Sequence, residues 1–220
     1  MPAPTDGWLP LTPAQRGLFF AHQLDPANPC YTTAEVVQVD AAEGRLDPAR
    51  LREAVGCAYA EFEQLRVELA LRPDGPVQRV RPLRDTGVVA LPVVEVAGPD
   101  EAEEWMRSEL ARPLDLLGGE LTRTALLRLP EADWWLHAAH HVVLDGYAVQ
   151  QLLRRIAELY AGAPAAAPAV SLAEVVEPDD PGAKEFWAVR LDGYDGPASL
   201  AGVAAPPSAT ALRRAVELPD

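Results

Sequence analysis

Two adjacent histidines, followed by three apolar residues, an aspartate and a glycine, carry the clearest chemical signal of the sequence. They form the segment His140–Gly146, called the motif segment below. A histidine side chain can take up or release a proton near neutral pH, which suits it to acid–base catalysis. The residues before the pair favour a strand, in which successive side chains point to opposite faces. One histidine of the pair can therefore be buried while the other faces a cavity.

The residues after the pair favour the start of a helix. Asp145 stands where a helix N-cap is expected, and the free amides that follow give the helix a positive N-terminal end. Such an end stabilises a developing oxyanion, so a histidine facing it would suit acyl transfer. On spacing alone, however, paired histidines and an aspartate before a helix are more often structural than catalytic. No third ligand lies at a suitable spacing for a metal site, so no metal is expected.

The elements that must position this segment mix helical and strand patterns, which predicts an α/β (α+β) chain with one sheet covered by helices. Thr12–Gln15 has the pattern of a capping box, and Asp47 and Asp100 are the expected caps of two further helices. Strands are predicted at residues 34–39, 67–71, 77–80, 91–96, 121–129, 134–140 and 210–218. Further helices are predicted from Gly146 to about residue 162 and at residues 183–191. Four tryptophans are expected in the core: Trp105, Trp134, Trp135 and Trp187.

Composition excludes several classes of function. The 220 residues include 19 basic and 33 acidic side chains, a net charge of −14, and no basic patch of the kind that binds nucleic acid. No apolar run approaches the roughly 18–20 residues of a membrane helix, and the N-terminus does not resemble a signal peptide. The two cysteines, Cys30 and Cys57, form no disulfide framework, so we expect a reducing, cytoplasmic location.

Four segments, in this order along the chain, resemble motifs of nonribosomal-peptide-synthetase condensation domains. Leu11–Phe20 resembles the opening motif, with Gln15 at its Ala-Gln pair. Residues 63–67 resemble the second motif, usually written RHExLRTxF, through Leu65 and Arg66. Residues 112–116 resemble a Pro-Phe-Asp-Leu segment in which leucine replaces the phenylalanine. The motif segment matches the third motif, HHxxxDG, in full.

The resemblance implies a lobe like that of chloramphenicol acetyltransferase, with a mixed sheet flanked by helices. In such domains the active site lies in a tunnel between two lobes, and the amine of an acceptor attacks a donor thioester. Both substrates arrive on phosphopantetheine arms of donor and acceptor carrier proteins, so no cofactor is bound directly. A neighbouring adenylation domain is a further expected partner, whereas nucleic acid and membranes are not.

The same resemblance assigns roles to individual residues. It implies that His141 is the active-site histidine, that His140 is its structural neighbour, and that Asp145 holds the segment in shape through an arginine of the second lobe. Gly146 is expected to allow close backbone approach. Whether His141 acts as a general base or positions the substrate stays open, because an α-amine with a pKa of about 7.7–8.0 is already partly neutral. The remaining site residues are expected as follows: Tyr147 and His137 in the substrate tunnel, Gln15 and Arg66 in structural positions.

The expected domain organisation is an N-terminal tail at residues 1–8 and an N-terminal lobe at residues 9–220. Residues 171–220 are expected to cross towards a C-terminal lobe. A whole condensation domain is about twice as long, so we expect little condensation activity from this chain alone. His22 is interpreted as incidental.

Several other functions compete with condensation. A CoA-dependent enzyme like chloramphenicol acetyltransferase has its HHxxxDG motif near the C-terminus, whereas 74 residues follow Gly146 here. A non-catalytic docking module ranks below catalysis because the motif is intact. The H-x4-D motif of glycerolipid acyltransferases is also satisfied, but the acidic charge argues against it. An epimerization domain shares HHxxxDG, and cyclization domains replace its histidines with aspartate.

Overall fold

The computed structural model describes residues 7–83, 89–168, 170–176 and 180–194. The chain divides into two compact units, Met1–Pro178 and Asp179–Asp220. The described strands are β1 (Leu9–Pro10), β2 (Thr32–Asp40), β3 (Val67–Arg72), β4 (Gly75–Val80), β5 (Val93–Glu95), β6 (Thr122–Arg128) and β7 (Ala132–His140). The described helices are α1 (Pro13–Leu24), α2 (Pro48–Glu61), α3 (Pro99–Ala111), α4 (Gly146–Tyr160), α5 (Leu172–Val175) and, in the second unit, α6 (Pro181–Arg190).

The strands of the first unit form two sheets. The larger sheet has the order β2-β7-β6-β5, and it is mixed because β5 runs parallel to β6 while the other neighbours are antiparallel. The smaller sheet has the order β1-β4-β3 and is antiparallel. The prediction of a single sheet was therefore wrong. Sequence patterns locate strands, but the partner of each strand depends on contacts between distant segments.

Strand β7 is the central strand that carries the motif segment. Residues Asp133–His140 are all buried, because helices cover both faces of the larger sheet. On one face Trp135 and Ala139 join a cluster with residues of α2 and α4. On the other face Trp134 and Leu136 join a cluster that includes Ala102 of α3. The nearly continuous apolar sequence of β7 suits a strand that is buried on both faces, and packing on both faces fixes its position.

A buried carboxylate anchors the N-terminal end of β7. Asp133 is fully buried, and it accepts hydrogen bonds from the guanidinium of Arg45 at 2.8 Å, from that of Arg128, and from the amide of Leu46 at 2.7 Å. Burial alone raises the pKa of Asp133, but these hydrogen bonds outweigh it and lower the pKa below its usual value. The β6–β7 hairpin is thereby fastened to the segment that precedes α2.

Most local predictions of helix starts are confirmed. Thr12 and Gln15 form a reciprocal capping box, with Thr12 Oγ1 accepting from the Gln15 amide at 3.2 Å. Asp47 caps α2, and Asp145 caps α4. The prediction that Asp100 caps α3 was wrong. Helix α3 begins at Pro99 after Gly98, because the fixed φ of proline favours the first helical position.

One prediction about the core was also wrong. Trp187 of α6 is 55% exposed, as its neighbour Phe186 is 60% exposed. The described part of the second unit contains a single helix, which cannot bury its own apolar side chains. Trp134 and Trp135 are buried as predicted, and Trp105 packs against a core cluster. The strand predicted at residues 210–218 lies outside the described residues. In the part of the chain that the structure describes, no helix is long and apolar enough to cross a membrane.

Candidate active site

The motif segment begins on the last residue of β7 and ends on the first residue of α4. Backbone hydrogen bonds hold its two histidines from both sides of the strand. The amide of His140 donates to the carbonyl of Leu121 at 2.9 Å, and the amide of His141 donates to the carbonyl of Tyr31 at 2.8 Å. Leu121 directly precedes β6 and Tyr31 directly precedes β2, so both neighbours of β7 fix the point where the strand ends.

The ring of His141 has a defined orientation. Its Nδ1 lies 2.9 Å from the carbonyl oxygen of Leu144, within the same turn. A carbonyl oxygen can only accept a hydrogen bond, so Nδ1 carries the proton of the neutral ring and Nε2 carries the lone pair. His141 is partly exposed, and its Nε2 has no hydrogen-bond partner among the described residues. This nitrogen is therefore available to accept a hydrogen bond or a proton from a substrate.

The ring of His140 is arranged in the opposite way. It is 1% exposed, and its Nδ1 accepts a hydrogen bond from the amide of Val142 at 3.1 Å. The proton of the neutral ring is thus on Nε2. Burial is the main cause that lowers the pKa of His140 to about 4, and electrostatic interaction with the neighbouring rings of His22 and His141 adds to it, so the ring of His140 is uncharged at neutral pH. One buried and one accessible histidine is the arrangement that the alternation of strand side chains predicts.

Asp145 shapes the turn into α4. Its Oδ1 accepts a hydrogen bond from the amide of Ala148 at 2.8 Å, and its carbonyl accepts from the amide of Val149 at 2.9 Å. The residue is exposed, and the described part of the chain offers it no ion pair. A side chain placed on Gly146 would meet no described atom within 4 Å. The ion pair expected of Asp145 and the close approach expected at Gly146 both stay predictions.

Gln15 connects α1 to the motif segment. Its Nε2 donates to the carbonyl of Val142 at 3.1 Å and to Oε1 of Gln78 at 3.2 Å. In return, Nε2 of Gln78 donates to Oε1 of Gln15 at 2.9 Å. Gln78 lies on β4 and is fully buried. No sequence prediction included Gln78, although a glutamine that shares strand parity with the apolar Pro76 and Val80 would have been a usable signal.

Three other predicted residues lie away from these contacts. Arg66 is 8% exposed and donates to the carbonyl of Arg81 at 2.5 Å, which ties it to the end of β4. His137 is 1% exposed on β7, and its Nε2 lies 2.8 Å from the hydroxyl of Tyr59 on α2. Tyr147 is the second residue of α4 and is 78% exposed. The structure thus brings Gln15, both motif histidines and Asp145 together, with Tyr147 beside them in the chain.

A cavity of about 420 Å³ lies between α2 and the start of β6. Tyr59, Arg66, Leu121 and Thr122 are among the residues that line it, but His141 is not. The cavity and the accessible imidazole are therefore separate features of the described residues. Within the described ranges no group of three or more side chains is arranged to hold a metal ion.

Comparisons with known proteins agree on one family. A family model described as Condensation domain matches residues 5–217. A dimodular nonribosomal peptide synthase from Bacillus subtilis (strain 168) is 35% identical over 165 residues, which are 73% of this chain and 7% of that protein. An isonitrile lipopeptide synthase from Streptomyces coeruleorubidus is 32% identical over 225 residues, covering 95% of this chain and 15% of that protein.

Solved structures give the same result. A double mutant of the starter condensation domain of the rhizomide synthetase RzmA, in complex with C8-CoA, superposes with a TM-score of 0.75 at 26% identity. The match covers 91% of this chain and 50% of that one. The first condensation domain of the calcium-dependent antibiotic synthetase, in complex with a substrate analogue, gives a TM-score of 0.66 at 26% identity over 81% of this chain and 43% of that one. The chain thus spans about half of the solved domains and a small part of the curated relatives.

Proposed function

The chain belongs to the condensation-domain family, and from this membership we propose that it forms the N-terminal half of a domain that joins an acyl or peptidyl thioester to an acceptor amine. The observation that carries the proposal is the orientation of His141. Its Nδ1 is tied to the carbonyl of Leu144 at 2.9 Å, which leaves the lone pair of Nε2 free at the end of the central strand.

The proposed reaction is an attack of the acceptor amine on the carbonyl carbon of the donor thioester. A C–N bond forms, the C–S bond breaks, the amine loses a proton, and the thiol leaves with one. An α-amine with a pKa of about 7.7–8.0 is partly neutral at cellular pH, so His141 need not act as a strong base. Its Nε2 accepts a hydrogen bond from the amine and fixes the direction of attack, and it can take the proton as the tetrahedral intermediate forms.

The start of α4 suits the charge that develops in this reaction. Asp145 caps the helix, and the amides of the first turn give this end a partial positive charge. The helix begins at Gly146, five residues after His141 in the chain. We propose that it lowers the free energy of the oxyanion that forms when the thioester carbonyl is attacked. Asp145 would at the same time pair with an arginine of a second lobe and hold the turn closed.

The proposed partners are carrier proteins whose phosphopantetheine arms deliver donor and acceptor, a C-terminal lobe, and an adjacent adenylation domain, all in the cytoplasm. Two observations support this assembly. Two curated relatives are named as a dimodular nonribosomal peptide synthase and an isonitrile lipopeptide synthase, and the chain covers only part of each. The solved condensation domains are about twice as long as the matched region, so the second wall of the tunnel is expected from a further lobe.

A more specific proposal concerns the donor. Several structural neighbours are structures of one starter condensation domain, that of RzmA, and three of them are in complex with C8-CoA. One relative is named as a lipopeptide synthase. Tyr147 adds an exposed aromatic ring in the first turn of α4. We therefore propose that the donor is a carboxylic acyl group that starts a peptide, rather than a growing peptidyl chain. An acyltransferase that works as a separate CoA-dependent enzyme, or a non-catalytic docking module, would be the alternatives.

The experiment uses the complete condensation domain that contains this chain, supplied with an aminoacyl thioester acceptor. Donors are octanoyl and aryl thioesters in one arm and a dipeptidyl thioester in the other, and the amide product is measured by mass spectrometry. We expect product with the acyl donors and at least tenfold less with the dipeptidyl donor. Product from the dipeptidyl donor alone would reject the starter assignment, and no amide from any donor would favour the docking module.

A further inference from the structure

The buried ring of His140 has a polar group that the motif segment itself does not satisfy. Because Nδ1 accepts from the amide of Val142, the proton lies on Nε2. That Nε2 is buried and has no hydrogen-bond partner in the described part of the chain. A buried N–H without a partner costs free energy. This cost favours rotation of the ring away from Val142 unless a neighbouring group prevents it.

An aromatic ring of α1 packs against the ring of His140. His22 is 5% exposed, and its ring meets that of His140 edge to face, with the ring centroids 5.1 Å apart and the planes at 87°. In this geometry the positive edge of one ring faces the negative face of the other, and an N–H can be directed at the ring face. Tyr31 flanks His140 more loosely, with ring centroids 6.1 Å apart and a tilt of 48°.

Helix α1 contacts the motif segment twice on one face. Gln15 and His22 are seven residues apart, which is about two helical turns, so both point to the same side. Gln15 holds the carbonyl of Val142 at 3.1 Å, while His22 packs on His140. Phe19, between them on that face, is completely buried and fixes the helix in the core. One helix thus restrains the residue before His141 and the residue after it.

We propose that His22 is a positioning residue that acts on His141 through the ring of His140. His22 does not contact the substrate. It keeps the His140 ring in the orientation in which Nδ1 accepts from Val142, and this contact fixes the turn that places Nε2 of His141. The inference rests on the proposed function, since it assigns His22 to the amide-forming site.

The surroundings of His22 and His140 favour a contact between two uncharged rings. Burial lowers the pKa of His22, while the nearby carboxylate of Asp115 raises it to a smaller extent. The pKa of His140 is lowered to about 4, chiefly by burial. Two neutral rings can pack edge to face without repulsion at neutral pH. A phenylalanine at position 22 would preserve this packing, whereas an alanine would leave the His140 ring free to turn.

The test compares three variants of the complete condensation domain in amide formation. His22→Ala removes the ring, His22→Phe keeps an aromatic ring of similar size, and Gly17→Ala is the matched control on the same helix. Gly17 is exposed, and a Cβ there meets no described atom within 4 Å. We expect His22→Ala to lower kcat by about 10- to 100-fold with KM for both substrates nearly unchanged, because a small misplacement of a catalytic group has effects of this size. His22→Phe should restore most of kcat, and Gly17→Ala should match the parent.

A spectroscopic measurement separates positioning from a general loss of stability. In the same protein labelled with ¹⁵N-histidine, the parent should show His140 protonated on Nε2 with an unprotonated Nδ1. His22→Ala should shift this ring towards a mixture of tautomers, while His22→Phe should keep the parent pattern. If His22→Ala is too unstable for reliable kinetics, the His140 tautomer in these spectra tests the positioning role instead.

The outcomes distinguish this inference from the proposed function. Parental kcat and a parental His140 tautomer in His22→Ala would overturn the positioning role. A His22→Phe variant as slow as His22→Ala would also overturn it, because ring packing would then not be the cause. If His141→Ala itself retained parental rates, the assignment of the active site would fail instead.

Discussion

Buried polar groups are hydrogen-bonded differently at the two ends of strand β7. At the N-terminal end, the charge of Asp133 is buried and receives hydrogen bonds from two guanidinium groups and one amide. At the C-terminal end, His140 is buried but uncharged, its Nε2 lacks a hydrogen-bond partner among the described residues, and Nε2 of His141 is free. A fully paired buried charge fixes the strand in place, whereas the accessible Nε2 of His141 at the other end is available for chemistry.

The difference indicates where this chain can tolerate incomplete pairing. Unsatisfied buried groups are uncommon in folded proteins, and they concentrate where a function requires them. At the anchored end, the hydrogen bonds to Asp133 all come from the chain itself, so its pairing does not depend on a substrate. The histidine end presents the lone pair of His141 and the exposed Asp145 and Tyr147. Gln15 and His22 hold the motif segment from within the core.

The largest expected effect on stability is at the anchored end. Replacing Asp133 with alanine leaves the mostly buried guanidinium of Arg128 without its carboxylate. We expect the free energy of unfolding, measured by urea denaturation, to fall by about 3 kcal/mol. Glu131→Ala, at an exposed position in the same hairpin, is the matched control and should change it by less than about 0.5 kcal/mol. Equal stability of the two variants would show that the buried carboxylate does not anchor the strand.

A smaller effect is expected where the core holds the motif segment. Gln78→Leu removes the amide that bonds Gln15, but it keeps a side chain of similar volume in a fully buried position. The amide of Gln15 then loses a partner, and we expect the free energy of unfolding to fall by about 1–2 kcal/mol. In the complete domain kcat should also fall, whereas Asp133→Ala should affect kcat little at temperatures where it is folded. The comparison between the two ends would break down if Asp133→Ala slowed amide formation more than Gln78→Leu did.

Acidification should affect the histidine end before the anchored end. The pKa values of His137 and His140 are lowered from 6.5 to about 4, so the unfolded chain binds more protons between these values. Their contribution to stability is complete above about pH 6.5 and is lost as the pH falls towards 4. The pKa of Asp133 is also lowered, so its contribution is lost only below about pH 4.

The measurement is the free energy of unfolding as a function of pH. Each of these histidines should reduce it by about 1 kcal/mol at a pH of about 5.5 relative to neutral pH. Asp133→Asn should shift the whole curve down without changing its slope between pH 6.5 and 4. A curve that stays flat from neutral pH to about 5 would contradict the neutral, buried state of these rings.

The smallest effect on stability is expected at the exposed start of α4. Tyr147 is 78% exposed, so Tyr147→Ala should change the free energy of unfolding by less than about 0.5 kcal/mol. If Tyr147 contacts the donor, the same variant should raise KM for the acyl donor in the complete domain while KM for the acceptor stays constant. Unchanged kinetics with both substrates would remove Tyr147 from the substrate tunnel.

Local signals predicted the parts of the site that depend on neighbouring residues. The capping box at Thr12, the cap at Asp145 and the strand that ends in the histidine pair each depend on contacts within a few residues. Sequence alone could not give the partners that arrive from far along the chain. Gln15 and Val142 are 127 residues apart, and Gln15 and Gln78 are 63 apart.

His22 shows the same limit. A single histidine on an amphipathic helix carries no sequence signal that distinguishes a partner of the motif from an incidental residue. Its role depends on how α1 packs against the end of β7, as does the division of the strands into two sheets. Family resemblance pointed to His141 and Gln15, but it did not supply Gln78 or His22.

The central claim is that His141 carries amide formation while the rest of β7 and α1 hold it in place. The direct test measures single-turnover amide formation and urea unfolding for the parent domain and for His141→Ala. We predict a rate at least about 100-fold lower, with a free energy of unfolding within about 1 kcal/mol of the parent, because His141 is partly exposed. A rate within about threefold of the parent would contradict the account, and the chemistry would then have to be assigned elsewhere.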